Sequence, residues 1–278
     1  MEYALQTRGL VRSFGRRQVI RDLELAVPRG AVYGLLGRNG AGKTTTIRLL
    51  LGILAPDAGT LIIGPDEVHR GTPALRQRIG YVSQQQHFYP WMRVQRLGRF
   101  VGGFYPTWDR AHFFALLNQL GVERRQRVGE LSGGTKMKLA LALALAHRPP
   151  ILLLDEPTAG VDPVTRREII DHLRALVDDE QRTVLFSTHN VSEIEDIGDQ
   201  VGVLHEGRIF WQGPKAGLTD RVRLVEGELP EGARALHPQD NGTVAWASPD
   251  VWAATPSARE VSLEAAFVAI ARHSRVEA

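Results

Sequence analysis

Short apolar runs ending in a polar residue or glycine recur along the chain and are separated by longer amphipathic stretches. The runs are Val32–Gly37, Thr60–Gly64, Ile79–Gln84, Ile151–Asp155, Thr183–His189 and Val201–Ile209. Helical spacing of apolar residues covers Thr44–Ile53, Asp109–Leu120, Pro163–Val177 and Val191–Ile197. The near-continuous runs, Ile151–Asp155 and Thr183–His189, are typical of parallel strands covered on both faces. Strands that alternate with helices predict a layered α/β fold.

One apolar stretch, Leu139–Ala146, alternates Leu with Ala and has the period of a half-buried strand. Ala and Leu are strong helix formers, and no β-branched or aromatic residue interrupts the stretch. On a helix the alternation leaves no polar face, so we predict a helix that is buried all round. We expect Ser132 to cap its start and the prolines at 149 and 150 to end it.

The order of the predicted strands and helices along the chain indicates its domain organisation. We expect an α/β core domain over residues 1–217, with a mostly helical subdomain at about 85–147. From residue 218 onward RVRLVEG and TVAWAS are short strand candidates, and SLEAAFVAIARH is a helix capped by Ser262. Residues 218–278 therefore predict a small C-terminal α+β subdomain.

Composition narrows the class of protein. The 278 residues include no cysteine, which excludes disulfides and thiolate chemistry and fits the cytosol. No apolar run approaches the ~20 residues of a membrane-spanning helix, and the N-terminus lacks the pattern of a signal peptide. The net charge of +3 is spread over interspersed basic and acidic residues, so we expect no nucleic-acid partner.

The sequence GRNGAGKT, Gly37–Thr44, matches a phosphate-binding loop and stands between a predicted strand and a predicted helix. Its backbone N–H groups and the helix start suit a β-phosphate, Lys43 adds a charge toward the β and γ oxygens, and Thr44 can ligate Mg²⁺. Bulky side chains at Gly37 or Gly42 would block the loop. The predicted nucleotide-binding residues here are Gly37, Asn39, Gly40, Ala41, Gly42, Lys43, Thr44 and Thr45.

Two carboxylates follow the apolar run Ile151–Leu154, at the end of a strand where α/β proteins bind ligands. Asp155 is suited to hold Mg²⁺, directly or through water. Glu156 is then placed to orient or deprotonate a water that attacks the γ-phosphate.

These motifs resemble the nucleotide-binding subunits of ATP-binding cassette (ABC) transporters, over about residues 14–209. The resemblance implies a P-loop NTPase of the ABC ATPase type, with a mixed-sheet core, that binds ATP and Mg²⁺. The matching positions outside the phosphate loop are LSGG at Leu131–Gly134 (the family signature), Gln84 (Q-loop), Asp162 (D-loop), His189 (switch histidine) and Phe14 (adenine stacking).

By resemblance, two copies of this chain, or this chain and a homologous ATPase subunit, close head to tail on two ATP molecules. Ser132, Gly133 and Gly134 of one subunit would meet the γ-phosphate held by the other, and Asp162 would connect the two sites. Gln84 would sense Mg²⁺ and the attacking water, and His189 would contact the γ-phosphate.

Two alternatives stay open at these positions: the Q-loop register could slip by one residue, since Gln85 and Gln86 follow Gln84, and Phe14 could be a core aromatic. Thr135 is a departure from the family pattern, because it replaces the Gln that the family usually carries. We expect Thr135 to tune the contact with the partner.

A narrower resemblance, carried by FYPTWD and KMKLALALALAHRP, is to a bacterial subgroup that pairs with a separately encoded, usually exporting, membrane permease. It implies a peripheral position on the cytoplasmic face of the cell membrane. The aromatic segment HFYPWM, His87–Met92, would suit a groove for a permease helix. Alternatively, this segment and the aromatics of FYPTWD belong to the core.

Two other function classes compete with a transport ATPase. A soluble ABC-type protein acting on ribosomes or nucleic acid would need a second cassette or a long heptad insertion, and the chain has neither. A regulatory subunit that binds ATP without hydrolysis would not need Lys43, Asp155, Glu156 and His189 together. The transported substrate, the direction of transport and the role of residues 218–278 are not encoded in these motifs.

Overall fold

The computed structural model describes residues 3–64, 66–67, 72–180, 182–239 and 241–273. The strands are β1 (Tyr3–Phe14), β2 (Arg17–Leu23), β3 (Ala26–Pro28), β4 (Val32–Leu36), β5 (Ala58–Ile63), β6 (Asp66–Glu67), β7 (Ile79–Val82), β8 (Ile151–Asp155), β9 (Thr183–Thr188), β10 (Gln200–His205), β11 (Arg208–Pro214), β12 (Val222–Val225), β13 (Arg234–Gln239), β14 (Gly242–Trp246) and β15 (Arg259–Glu260). The helices are α1 (Lys43–Leu50), α2 (Pro73–Gln77), α3 (Val94–Gly102), α4 (Arg110–Gln119), α5 (Gly133–Leu145), α6 (Pro163–Glu180), α7 (Val191–Ile197), α8 (Lys215–Thr219), α9 (Pro249–Ala253) and α10 (Leu263–His273). The α/β class is confirmed.

The central sheet has six strands in the order β11-β10-β4-β9-β8-β7. All neighbours pair in parallel except β10 and β11. Every residue of β4, β8 and β9 is buried, as the apolar runs predict. The single strand expected over Val201–Ile209 is wrong, because Glu206 (φ 46°) and Gly207 (φ 78°) both adopt left-handed conformations and fold it into the β10–β11 hairpin.

A second, antiparallel sheet has the order β2-β1-β5-β6, with β3 paired to β1. Its buried residues, such as Leu5 and Ile20, share one hydrophobic cluster with Ile47 of α1 and Leu153 of the central sheet. Helix α1 therefore lies between the two sheets, and this packing fixes the direction in which the phosphate loop enters the helix.

The helix predicted from the Leu and Ala alternation is confirmed as α5, and residues 139–146 are buried throughout. It ends at Leu145, earlier than the prolines at 149 and 150 would require. The reason is local: the Ala146 carbonyl accepts from the Asp109 N–H (3.0 Å), and Arg148 adopts a left-handed φ of 54°. In the described residues no helix is long and apolar enough to cross a membrane.

The C-terminal residues form an antiparallel sheet in the order β13-β14-β12-β15, followed by α10. The Ser262 hydroxyl accepts from the Ala265 N–H (3.1 Å), which confirms the predicted cap. Ala266 and Ile270 of α10 are buried in the same hydrophobic cluster as Ile194 of α7 and Val203 of β10. The domain boundaries stay predictions.

Candidate functional site

Four loops meet at one edge of the central sheet because the strands that precede them are neighbours and run in parallel. In the order β4-β9-β8-β7, these strands lead into the phosphate loop, His189, the Asp155–Glu156 pair and the Gln84 segment. Residues far apart in sequence are thereby brought to the carboxyl end of one sheet, the usual ligand-binding edge of an α/β fold.

The phosphate loop requires glycine at two positions for steric reasons. A Cβ on Gly37 would lie 2.8 Å from the Leu204 carbonyl oxygen. Gly42 has a left-handed φ of 110°, and a Cβ there would lie 2.8 Å from Ile20 Cδ1. The loop then enters α1, whose first turn carries no acidic residue, so the positive end of the helix is uncompensated and suited to an anion.

Lys43 lies across the inside of this loop. Its ammonium donates to the carbonyl oxygens of Gly37 (2.8 Å) and Arg38 (3.3 Å) and is 3.0 Å from Glu156 Oε1. Lys43 and Glu156 are 4 % and 8 % exposed. A buried ammonium on the inside of a glycine-rich loop suits a polyanionic ligand.

Asp155 is held by two hydroxyl groups. Its Oδ1 accepts from Ser187 Oγ (2.7 Å) and from Thr44 Oγ1 (3.2 Å), and the residue is buried. A carboxylate and a hydroxyl at this separation offer the hard oxygen ligands that Mg²⁺ prefers. Ser187 was not predicted from the sequence, although a serine at the end of an otherwise apolar strand is the signal that could have found it.

Glu156 is the meeting point of the predicted catalytic residues. It adopts a left-handed φ of 47°, and its N–H is held by the carbonyl (3.2 Å) and hydroxyl (3.1 Å) of Ser187. Its Oε2 accepts from Gln84 Nε2 (3.2 Å) and lies 3.2 Å from His189 Nδ1. The Gln84 register is the one that makes this contact.

A buried polar network supports the segment after Glu156. Thr158 donates to Glu193, a buried carboxylate of α7, and the guanidinium of Arg166 lies 3.7 Å from the same oxygen. Arg166 also donates to Ser192, so α6 and the segment after His189 are tied together. These residues were not predicted, because nothing in their local sequence separates them from ordinary helix residues.

The signature turn has a different location. Ser132 caps α5, accepts from the Thr135 N–H (3.1 Å) and shares a hydrogen bond with Thr135 Oγ1 (2.8 Å). A Cβ on Gly133 would meet nothing within 4 Å, whereas one on Gly134 would lie 2.9 Å from Thr165 Cγ2. Among the described residues, no hydrogen bond or ion pair joins this turn to the phosphate loop.

Asp162 and Phe14 also lie outside the cluster around Glu156. The Asp162 carboxylate accepts from the N–H groups of Thr165 (3.0 Å) and Val164 (3.1 Å), which caps α6 and lowers the pKa of Asp162. Phe14 is 47 % exposed, and its ring centroid lies 5.1 Å from the guanidinium carbon of Arg12. An exposed aromatic ring of this kind is accessible for stacking with a nucleotide base.

Comparison with known proteins identifies the family of the chain. A protein-family model described as ABC transporter matches residues 20–159. The chain is similar to the bacitracin transport ATP-binding protein BcrA of Bacillus licheniformis, with 33% identity over 239 residues, covering 85% of this chain and 78% of that protein. It is also similar to the Nod factor export ATP-binding protein I of Paraburkholderia xenovorans, with 39% identity over 223 residues, covering 78% and 73%.

Solved structures give the same result. One described as an ATP-binding subunit of an ABC transporter is 26% identical with a TM-score of 0.70, over 77% of this chain and 91% of that one. A nucleotide-free ATP-binding cassette of an ABC transporter is 25% identical with a TM-score of 0.68, over 77% and 92%. The chain therefore belongs to the ABC transporter family, as an ATP-binding subunit with the ABC ATPase fold.

Proposed function

We propose that this chain hydrolyses Mg-ATP as one half of a head-to-tail pair and thereby drives a membrane-spanning permease, in the direction of export. One observation carries the proposal. Lys43, Gln84, Glu156 and His189 converge within one chain, whereas among the described residues no hydrogen bond or ion pair joins the signature turn at Ser132 to them. A second copy, or a homologous subunit, would bring its own signature turn to this site.

Each residue of the cluster has a defined task in this proposal. Lys43 and the backbone N–H groups of the loop bind the phosphates, while Thr44 and Asp155 hold Mg²⁺, with Gln84 adjoining. When bound, Mg²⁺ neutralises charge on the phosphate oxygens. Glu156, oriented by Gln84 and His189, accepts a proton from the attacking water.

The remaining predicted residues bind other parts of the nucleotide or connect the two subunits. Phe14 stacks on adenine. Gly37, Asn39, Gly40, Ala41, Gly42 and Thr45 shape the phosphate loop, Ser132, Gly133 and Gly134 meet the γ-phosphate held by the partner subunit, and Asp162 connects the two sites.

The surface for the permease would be an exposed aromatic patch made of Tyr89, Trp91, Phe100 and Phe104. Each of these side chains is between 44 % and 68 % exposed, and neighbouring ring centroids are 5.4–5.9 Å apart. Contiguous exposed aromatic surface favours a protein partner. The names of the two relatives, one in bacitracin transport and one in Nod factor export, support a transport role, and the second supports export. A permease partner places the chain at the cytoplasmic face of the membrane.

Co-purification from membranes tests the proposal. The tagged chain should recover a membrane-spanning protein, and Trp91→Ser with Phe104→Ser should lose it while basal ATPase activity stays unchanged. Ile53→Ser is the matched control, because it replaces an apolar side chain that is 58 % exposed and lies outside the aromatic patch. Recovery of ribosomes or DNA in place of a membrane protein would favour the alternative class, and absent ATPase activity would favour a regulatory subunit.

A further inference from the structure

A basic cleft lies between α3 and α4, apart from the nucleotide site. Arg93, Arg96, Arg99 and Arg110 surround a cavity of about 660 Å³. Its floor is aromatic, being formed by Trp108, Phe113 and Phe114. We refer to this cavity and its arginines as the arginine cleft.

The close approach of α3 to the aromatic floor depends on two glycines. A Cβ on Gly98 would lie 2.2 Å from Phe113 Cε1, and one on Gly102 would lie 2.9 Å from the Trp108 ring. Since α3 carries no side chain at these points, its backbone approaches the rings closely, and Arg96 and Arg99 line the same cavity as those rings.

The positive charge of this region is concentrated and locally unbalanced. Residues 93–127 contain seven arginines and two acidic residues, a net charge of +5, which exceeds the +3 of the whole chain. Both acids are engaged elsewhere: Asp109 pairs with Arg148 (3.1 Å), and Glu123 accepts from the Arg125 N–H (3.0 Å). Within the described part of the chain, Arg93, Arg96 and Arg99 form no ion pair with a carboxylate.

The backbone gathers further guanidinium groups at the same place. Residues 93–95 run beside residues 124–127, since the Val94 N–H donates to the Gln126 carbonyl (3.0 Å) and the Gln95 N–H to the Arg124 carbonyl (2.9 Å). The guanidinium carbons of Arg110 and Arg124 lie 5.3 and 5.9 Å from the Phe114 ring centroid. A guanidinium group that lies over an aromatic ring keeps the N–H donors at its edges available to an anion.

We infer that the arginine cleft binds the phosphate headgroups of an anionic phospholipid surface. Charge complementarity identifies an anion, and guanidinium groups match the geometry of phosphate oxygens. The aromatic patch assigned above to the permease adjoins the cleft, because Arg96 lines the cleft and also lies 5.9 Å over the Trp91 ring. A surface beside the permease site faces the membrane that holds the permease, so the inference rests here on the proposed function, and basic side chains at such a surface attract anionic lipids.

Co-sedimentation with vesicles tests this inference on the full chain without a permease. The chain should bind vesicles of phosphatidylcholine mixed with phosphatidylglycerol, and not vesicles of phosphatidylcholine alone. Each arginine near such a surface contributes about a fivefold increase in partitioning, so replacing Arg93, Arg96 and Arg99 by Gln should weaken binding on the order of a hundredfold. Binding should also weaken as salt is raised.

The matched control replaces three exposed arginines elsewhere, Arg8, Arg174 and Arg208, by Gln. This variant has the same change in net charge and should retain at least a tenth of the wild-type partitioning, and both triple variants should keep the wild-type melting temperature. Equal loss in both variants would overturn the inference, as would equal binding to neutral vesicles.

Two further results would also overturn it, and each would name a different ligand. Saturable binding of inorganic phosphate without binding to anionic vesicles would assign the cleft to a soluble anion. Arginine-dependent recovery of the permease, again without vesicle binding, would assign it to an acidic protein segment. These outcomes do not depend on ATP hydrolysis, so they are distinguishable from a failure of the proposed function.

Discussion

The ion pair between Lys43 and Glu156 should contribute to stability before any nucleotide binds. Lys43→Ala leaves the Glu156 carboxylate buried without the ammonium that lies 3.0 Å away. Removing one partner of a buried pair costs about 3–5 kcal/mol, because an uncompensated charge stays buried. For a chain of this size we expect the melting temperature to fall on the order of 10 °C.

A double-mutant cycle in the absence of nucleotide measures this contribution. Lys43→Ala combined with Glu156→Gln removes both charges, so the double variant should be more stable than Lys43→Ala by about 2 kcal/mol or more. Urea unfolding of the wild type, both single variants and the double variant supplies the four free energies. Additive losses would refute the reasoning, since they would mean that the two charges do not interact in the free chain.

Two further predictions concern the helical region. Burial lowers the pKa of His147 from 6.5 to about 4. Between these two pH values the unfolded chain binds more protons than the folded chain does. The free energy of unfolding should therefore fall by about 3 kcal/mol as the pH drops from 6.5 to about 4. His147→Phe should remove that part of the pH dependence in urea unfolding. Gly98→Ala should destabilise the chain by about 1–3 kcal/mol, because the new Cβ would clash with the Phe113 ring. Gly103→Ala should not, because its Cβ would lie 3.4 Å from the nearest atom, the Phe100 carbonyl oxygen, which is an ordinary van der Waals distance.

The sequence predicts the buried strands of the central sheet better than the antiparallel strands and turns around them. The buried parallel strands and the phosphate loop are local patterns, so β4, β8, β9 and α1 follow from short windows of sequence. The antiparallel strand β1 was missed because its pattern is interrupted, with Gly9 in a left-handed conformation (φ 57°). The β10–β11 turn was missed because Glu206 is an unusual residue in a left-handed turn position.

The residues of the site also divide into those that a local motif predicts and those that depend on the tertiary fold. Lys43, Asp155 and Glu156 were predicted because each belongs to a contiguous sequence motif. The contact of Glu156 with Gln84 and His189 depends on strand order, which no single window of sequence contains. Ser187 and the network around Glu193 were missed because their roles arise from tertiary contacts between polar side chains of ordinary type.

The central claim is that two chains close on ATP, with the signature turn of one facing the phosphate loop of the other. Glu156→Gln should retain ATP binding, slow hydrolysis and accumulate as a dimer in size-exclusion chromatography with Mg-ATP. Adding Ser132→Arg to that variant should abolish the dimer and leave ATP binding by the monomer intact. A Glu156→Gln variant that binds Mg-ATP and still elutes as a monomer, both alone and when mixed with a homologous ATPase subunit, would contradict the account.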